Sequence, residues 1–251
     1  MHVERVVLRV SDVELSAGFY ERITGLSSRS LELERAELGA PDGGPVRLEL
    51  RRADRPGPAP RRAAGLFHTA FRYPERAGLS AALRRLAEDQ VPLSGASDHL
   101  VSEALYLDDP DGLGIELYRD RPREEWPEPE PGQRVAMATL PLDIDSLLAE
   151  APGDSAGVDV GHVHLKVAHV SEAVRFWTDE IGMEVMATYG ADAAFIADEG
   201  YHHHVGVNTW MSSGAELEPA DGAGLDAVVI AGAPQAGELR TPDGVPVLLE
   251  P

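Results

Sequence analysis

The chain has 251 residues, which suits one large domain or two domains of about 120 residues each. Apolar residues make up 43% of it and charged residues 26%, as in ordinary globular proteins. Asp and Glu number 43 against 22 Lys and Arg, and the formal net charge of -21 argues against nucleic acids and anionic membrane surfaces as partners.

Cysteine is absent, which excludes disulfides, thiolate metal sites and a cysteine nucleophile. The N-terminal stretch MHVERVVLRV lacks the basic and apolar regions of a secretion signal, and no apolar run approaches the roughly 20 residues needed to cross a bilayer. These features predict a soluble, cytoplasmic protein without a membrane partner.

The first elements in chain order return later in the sequence. VVLRVSDVELSAGFYERITGL, at 6–26, aligns without a gap with VHLKVAHVSEAVRFWTDEIGM at 163–183. Each copy has an alternating apolar strand, then Asp12 or Ser171 near a helix start, then an aromatic pair and a glycine suited to the helix end. The chain therefore contains two related units of this type.

A second type of segment lies between the two copies. It is predicted to contain a strand at 65–74, an amphipathic helix at 77–90 and two strands joined by a turn at 98–120. The second copy of this segment, at 224–232 and 241–251, lacks the helix and one neighbouring strand. The fourth unit is therefore truncated.

These units predict a domain organisation with a linker in the middle. A first domain spans 1–120 with units at 1–54 and 65–120, a Pro-rich linker with one short helix spans 121–159, and a second domain spans 160–251 with a complete unit at 160–212 and the truncated unit at 222–251. Exposed strand edges in the truncated unit would be covered well by a second copy, so a homodimer is one of the assemblies that the sequence leaves open.

The strand-helix start HVHLKVAHVSEAVRFWTDEIGMEV and the turn LYLDDPDGLGIELYRDRP resemble the vicinal oxygen chelate superfamily of glyoxalases, bleomycin-resistance proteins and extradiol dioxygenases. DHLVSEALYLDDPDGLGIELYRDRPREEW, together with YHHHVGVNTW, is similar to its catechol 2,3-dioxygenase-like branch. The resemblance implies an α+β fold of repeated βαβββ units, whose curled mixed sheets surround a cavity with the helices outside.

Comparison of equivalent repeat positions suggests a metal site. Strand alternation places His162, His164 and Lys166 on the cavity face of the third unit. His68, Glu116 and His164 have apolar residues as their counterparts in the other units, namely Ala227, Leu248 and Val7. Two imidazoles and one carboxylate suit Fe(II), with Mn(II) or another divalent metal as alternatives, so His68, Glu116 and His164 are the predicted ligands.

Such a site requires the second unit to pair with the third and the first with the fourth. Two-domain extradiol enzymes differ, since the resemblance there implies that all three ligands come from the last two units.

The resemblance also implies three catalytic residues. They are His203 as the base, His99 shortly before the ring-facing tyrosine, and Tyr106, ten residues before Glu116. Alternation groups His203 with the apolar Val205, whereas His202 and His204 share the other face, so either a bulge turns His203 inward or one of its neighbours is the cavity residue.

Two main functions follow from these assignments. One is a ring-cleaving extradiol dioxygenase acting on a small aromatic diol with dioxygen; the other is a metal-free protein that sequesters an aromatic natural product or antibiotic. A glyoxalase-like isomerase ranks third, because it would need an additional carboxylate ligand from Glu49.

Overall fold

The computed structural model describes residues 1–41 and 43–251. The first half contains β1 (His2–Val10), α1 (Val13–Thr24), β2 (Ser27–Leu31), β3 (Arg35–Gly39), β4 (Val46–Arg52), β5 (Gly65–Tyr73), α2 (Arg76–Glu88), β6 (Gly95–Asp98), β7 (Ser102–Asp108) and β8 (Gly114–Asp120). The second half contains β9 (Leu140–Pro141), α3 (Ile144–Ala149), β10 (Asp159–Lys166), α4 (Val170–Arg175), β11 (Glu184–Tyr189), β12 (Ala193–Ala197), β13 (Val205–Asn208), β14 (Gly224–Ala231), β15 (Gly237–Arg240) and β16 (Pro246–Leu249).

The two residues that the sequence places at the ends of the first helix cap it in the structure. The side chain of Asp12 accepts a hydrogen bond from the backbone N–H of Leu15, which satisfies one of the free donors of the first turn. Gly25 ends the helix in the left-handed conformation with φ of 82° and donates its N–H to the Glu21 carbonyl. The predicted strand-helix start is confirmed in this unit.

Two sheets combine the units in an interleaved way. A seven-stranded sheet has the order β15-β16-β14-β1-β4-β3-β2, which joins the fourth unit to the first. A nine-stranded sheet has the order β11-β12-β13-β10-β5-β8-β7-β6-β9, which joins the third unit to the second. Both joints are antiparallel pairs, β1 with β14 and β5 with β10. This is the pairing that a site shared by the second and third units requires, and it divides the strands of residues 1–120 between the two sheets.

The fourth unit has three strands, β14, β15 and β16, and the described residues from 222 to 251 contain no helix. Relative to the second unit it lacks the helix and one strand, as the sequence predicts. β15 lies at one edge of the seven-stranded sheet. A homodimer that covers this edge stays a prediction.

The apolar faces of the two sheets share one core. Val6 and Leu8 of β1 belong to the same buried hydrophobic cluster as Val163 and Leu165 of β10. A separate small cluster lies on the other face of the seven-stranded sheet and contains Val7, Ala227 and Val229, with Leu248 packed against them. None of the helices in the described part of the chain is both long and apolar enough to cross a membrane.

The predicted linker contains α3 and also extends the nine-stranded sheet. β9 pairs with β6 at the sheet edge, and the N–H of Arg134 donates to the carbonyl of Met186. The helix α3 begins after Asp143, whose side chain accepts a hydrogen bond from the N–H of Ser146. The linker therefore packs along the second and third units, and its strand was not predicted from the sequence.

A buried carboxyl group ties the second unit to the fourth. Glu218 is 3% exposed and accepts a hydrogen bond from the N–H of Leu225. Its side chain lies against Gly65 and Gly224, where a Cβ atom would come within 2.4 and 2.3 Å of the carboxyl group. These two glycines begin equivalent strands of the repeat, and their missing side chains make room for Glu218.

Burial raises the pKa of the Glu218 carboxyl to about 7. Between its unfolded and folded pKa values the native protein holds a proton that the unfolded chain has lost, so this contribution to stability declines as pH rises through that interval. A shift of this size corresponds to roughly 3 kcal/mol. Several buried histidines with lowered pKa values act in the opposite sense below about pH 6.5, so the test is the difference in slope between two proteins. Between pH 5 and 8 we expect the free energy of unfolding in urea to fall less, or to rise more, in Glu218→Gln than in the native protein. Burial also raises the pKa of Asp109 to about 7, and this contribution to the pH dependence is present in both proteins. Equal slopes for the native protein and the variant would contradict the raised pKa of Glu218.

Candidate metal centre and cavity

A cavity of about 450 Å³ opens on the concave face of the nine-stranded sheet. The second and third units form most of its wall, and Pro60 in the connector before β5 and Met137 in the linker also contribute. The aromatic rings of Phe67, Tyr106, Tyr189, Phe195 and Trp210 line it. The volume lies within the range of small-molecule sites, roughly 300–1,000 Å³.

Three buried polar side chains meet at the cavity wall. Nε2 of His68 on β5 lies 2.9 Å from Oε2 of Glu116 on β8, and Nε2 of His162 on β10 lies 3.1 Å from the same oxygen. The two Nε2 atoms are 3.4 Å apart. All three residues are at most 6% exposed, and their ligand atoms lie close enough together to hold a metal ion.

The strand register explains why these three side chains converge. Ala70 on β5 pairs with His162 on one side and with Glu116 on the other, so the three residues form one row on one face of the sheet. The methyl group of Ala70 leaves space in which the longer side chains meet. His68, two residues earlier on the same face, reaches the same point from the neighbouring row.

The electrostatics of the cluster favour a bound cation. Burial alone would raise the pKa of Glu116, but the nearby His162 and His68 hold it well below its ordinary value, so the group is a carboxylate. Burial lowers the pKa of His162 to about 4, against the opposing effect of Glu116. One carboxylate oxygen and two imidazole nitrogens, which release their facing protons when a metal binds, match the requirements of a divalent metal.

The structure brings His68 and Glu116 together with His162 and leaves His164, the third predicted ligand, outside the cluster. His164 pairs directly with His68 across the strands, and their ring centroids lie 5.0 Å apart. It lines the cavity, and its Nε2 is buried without a hydrogen-bond partner among the described residues. Alternation puts both histidines on the cavity face but does not predict which row each occupies. In the structure His162, not His164, lies in the row of Ala70 and Glu116.

His99 and Tyr106 form a hydrogen-bonded pair in the cavity wall. The carbonyl of Ala138 can only accept, so His99 Nδ1 donates to it over 2.6 Å. His99 Nε2 then accepts from the hydroxyl of Tyr106, also over 2.6 Å. Burial, with Glu116 nearby, raises the pKa of Tyr106 well above its ordinary value, so the hydroxyl keeps its proton. The ring of Tyr106 lies 5.6 Å from that of His68, which places the pair beside the cluster.

Of the three adjacent histidines, His203 is the one that lines the cavity. Its ring centroid lies 4.0 Å from that of His162. All three histidines precede β13 and lie outside regular strand structure, so the alternation that grouped His203 with Val205 does not apply to them. Burial lowers the pKa of His203 well below its ordinary value, which keeps the imidazole neutral.

Glu49, the additional ligand that a glyoxalase-like isomerase would need, lies in a different sheet from this cluster. It belongs to β4 of the seven-stranded sheet, and its Oε1 binds Arg35 at 2.9 Å and Arg51 at 2.7 Å. Its carboxylate is already neutralised in a different sheet, so the cluster has one carboxylate rather than two.

Comparisons with known proteins identify the family of this chain. A family model described as the glyoxalase/bleomycin resistance protein/dioxygenase superfamily matches residues 2–117. Catechol-2,3-dioxygenase from Bacillus subtilis (strain 168) is 40% identical over 235 residues, which cover 90% of this chain and 80% of the relative. The chain belongs to the glyoxalase/bleomycin resistance protein/dioxygenase superfamily.

Solved structures share the fold at lower sequence identity. A protein from Bacillus subtilis subsp. subtilis strain 168, provisionally described as a dioxygenase, matches with a TM-score of 0.65 and 12% identity over 99% of this chain and 84% of that one. Glyoxalase I from Zea mays matches with a TM-score of 0.58 and 15% identity over 99% and 91% of the two chains. These likenesses concern the fold, and they confirm the predicted α+β architecture.

Metal affinity should distinguish His162 from His164. We expect His162→Ala to lower the affinity for Fe(II) or Mn(II) by more than about 100-fold, which exceeds the usual effect of residues that only support a ligand. His164→Ala is the matched control from the same strand face, and we expect a decrease of about tenfold or less. Anaerobic metal titration followed by elemental analysis measures both, and the reverse order of effects would support His164 as the ligand.

Proposed function

We propose that this protein is an extradiol ring-cleaving dioxygenase that acts on a catechol-like aromatic diol and uses Fe(II), with Mn(II) as the alternative metal. The observation that carries the proposal is the cluster of His68, Glu116 and His162, which opens on an aromatic cavity beside His203 and the His99–Tyr106 pair. The 40% identity with a catechol-2,3-dioxygenase supports it.

The donor set fits the proposed metal. Two imidazoles and one carboxylate on adjacent strands form the set that non-haem Fe(II) oxygenases use, and it leaves further coordination positions open. When bound, the ion would supply Lewis acidity toward both hydroxyl oxygens of the diol and redox chemistry toward dioxygen.

The cavity wall suits a planar aromatic ring. Phe67, Phe195 and Trp210 all lie next to His164, with ring centroids 5.2 to 5.8 Å from its imidazole. Flat apolar side chains of this kind bury an aromatic ring and exclude water from it. The ring would therefore lie over His164 with its two hydroxyl groups directed toward the His68 cluster.

Proton transfer would involve two sets of residues. His203 is neutral and lines the cavity, so it can take a proton from a substrate hydroxyl. On another part of the wall, the oxygen of Tyr106 can accept a hydrogen bond from substrate while its own proton remains directed at His99 Nε2. His99 is held in that orientation through Ala138 of the linker.

Anaerobically Fe(II)-loaded protein should open the ring of catechol when dioxygen is supplied. We expect the product to contain both atoms of labelled dioxygen and to result from cleavage of the bond beside the two hydroxyl-bearing carbons, as mass spectrometry and NMR can show. His203→Gln should retain the metal and lose about 10²–10⁴-fold in kcat, the usual contribution of a general base. Metal-loaded protein that binds catechol without consuming dioxygen would overturn the proposal.

Sequestration of an aromatic compound is the second candidate function, and the aromatic lining of the cavity favours it. The net charge of -21 would suit a cationic ligand. For such a binder, His162→Ala would leave the ligand affinity almost unchanged because no metal takes part. Isothermal titration of a cationic planar aromatic dye with the native and His162→Ala proteins separates this function from the enzyme.

A further inference from the structure

A buried line of hydrogen bonds leads from His203 away from the cavity. Nδ1 of His203 lies 2.7 Å from Nδ1 of His202, and Nε2 of His202 lies 2.8 Å from Oδ1 of Asp120 at the end of β8. His202 is 0% exposed. Neither His202 nor Asp120 belongs to the groups assigned to the reaction above, and neither lines the cavity.

The far end of this line is held firmly. Oδ2 of Asp120 accepts hydrogen bonds from the Tyr201 hydroxyl at 2.9 Å and from Nη1 of Arg72 at 3.3 Å. Arg72 is anchored in turn by Asp159, at 2.7 and 3.0 Å. These contacts occupy one carboxylate oxygen with donors and direct the other, Oδ1, at His202.

The chemistry of the donors and acceptors then fixes the position of each proton. Burial opposes ionisation of Asp120, but the hydrogen bond from His202 and the nearby charges hold its pKa below the ordinary value, so both oxygens can only accept. His202 must therefore donate through Nε2–H. In the neutral form of His202 the lone pair lies on Nδ1, and this atom then accepts a hydrogen bond from Nδ1–H of His203.

We propose that Asp120 and His202 are positioning residues that fix His203 as its Nδ1–H tautomer, so that the lone pair on Nε2 is directed to the cavity. The proposal rests on the proposed function, since it explains how the base is prepared for its proton. Nε2 of His203 has no hydrogen-bond partner within the described residues, which leaves it available to a substrate hydroxyl.

The same arrangement supports His203 after the transfer. The O–H bond of the substrate breaks, an N–H bond forms at Nε2 of His203, and the imidazolium keeps its Nδ1–H bond to His202. The carboxylate of Asp120 stabilises the positive charge through the intervening His202 ring. An Asp-His pair has this role in serine proteases, where the carboxylate orients the imidazole and stabilises its charged form without taking the proton.

Asp120→Asn tests the tautomer of His203 directly, because the donors that face Oδ2 in the native protein still require an acceptor in the variant. Arg72 and Tyr201 both donate there, so the amide oxygen should occupy that place and the NH₂ group should face Nε2 of His202. His202 would then accept at Nε2 and donate through Nδ1–H. His203 would be forced to accept at Nδ1 and to carry its proton on Nε2, where it cannot act as a base.

The tautomer can be measured directly on the full chain labelled with ¹⁵N-histidine, both as purified and with diamagnetic Zn(II) added. Two-bond ¹H–¹⁵N spectra distinguish the ring nitrogens, and comparison with His203→Gln assigns the signals of residue 203. We expect the proton of His203 on Nδ1 in the native protein and on Nε2 in Asp120→Asn. A proton on Nε2 in the native protein would refute the proposal, and that spectrum requires no variant at position 120 to fold.

Kinetics give a second readout. Asp120→Asn should lose on the order of 10³–10⁴-fold in kcat, as for a wrong tautomer in a protease triad, while KM and metal content stay within about threefold of the native values. His204→Gln is the control, since His204 accepts at Nδ1 from the N–H of Asp198 and lies off the cavity, and we expect a change of at most twofold. Equal losses in kcat, substrate affinity and metal content would show a structural role and reject the positioning role. If the native protein does not cleave catechol, the proposed function fails, while the spectra still decide the tautomer.

Discussion

The antiparallel pairing of β5 with β10 is the constraint on which the rest of the site depends. It joins units whose partner residues are far apart in sequence, and it brings His162 into the same row as Ala70 and Glu116. A shift of one residue in this pairing would turn the histidines of β10 away from the cavity, because side chains alternate between the two faces of a strand. The apolar residues of β10 in the shared core oppose such a shift.

The cost of the site is electrostatic. Glu116 remains charged in a buried position where desolvation alone would favour its neutral form. Both neighbouring imidazoles contact its Oε2, and Nδ1 of His162 is buried without a hydrogen-bond partner among the described residues. The paired strands β5, β8 and β10 hold the three side chains in place. The same rigidity allows the cluster to receive a cation without rearrangement.

Much of this could be predicted from the sequence, and the exceptions have a common cause. The internal repeat, the truncated fourth unit and the shared face of His68 and Glu116 follow from periodicity, which is a local property of the chain. The choice between His162 and His164 depends on cross-strand register, and the contacts of His202 with Asp120 depend on an irregular segment meeting the end of another strand. The contribution of the linker to the cavity depends on tertiary packing, for which its Pro-rich composition gave no signal.

The apolar cluster of Val7, Ala227, Val229 and Leu248 has a consequence beyond packing. By the repeat, its members are the counterparts of His164, His68, Ala70 and Glu116, so the same backbone arrangement occurs twice, once with two histidines and a glutamate and once with apolar side chains alone. The seven-stranded sheet therefore shows that this arrangement forms without histidines or a carboxylate at these four positions. After duplication, one half of such a molecule can strengthen the fold while the other half is free to acquire side chains that destabilise it, and selection can change the chemistry of one half without rebuilding the scaffold.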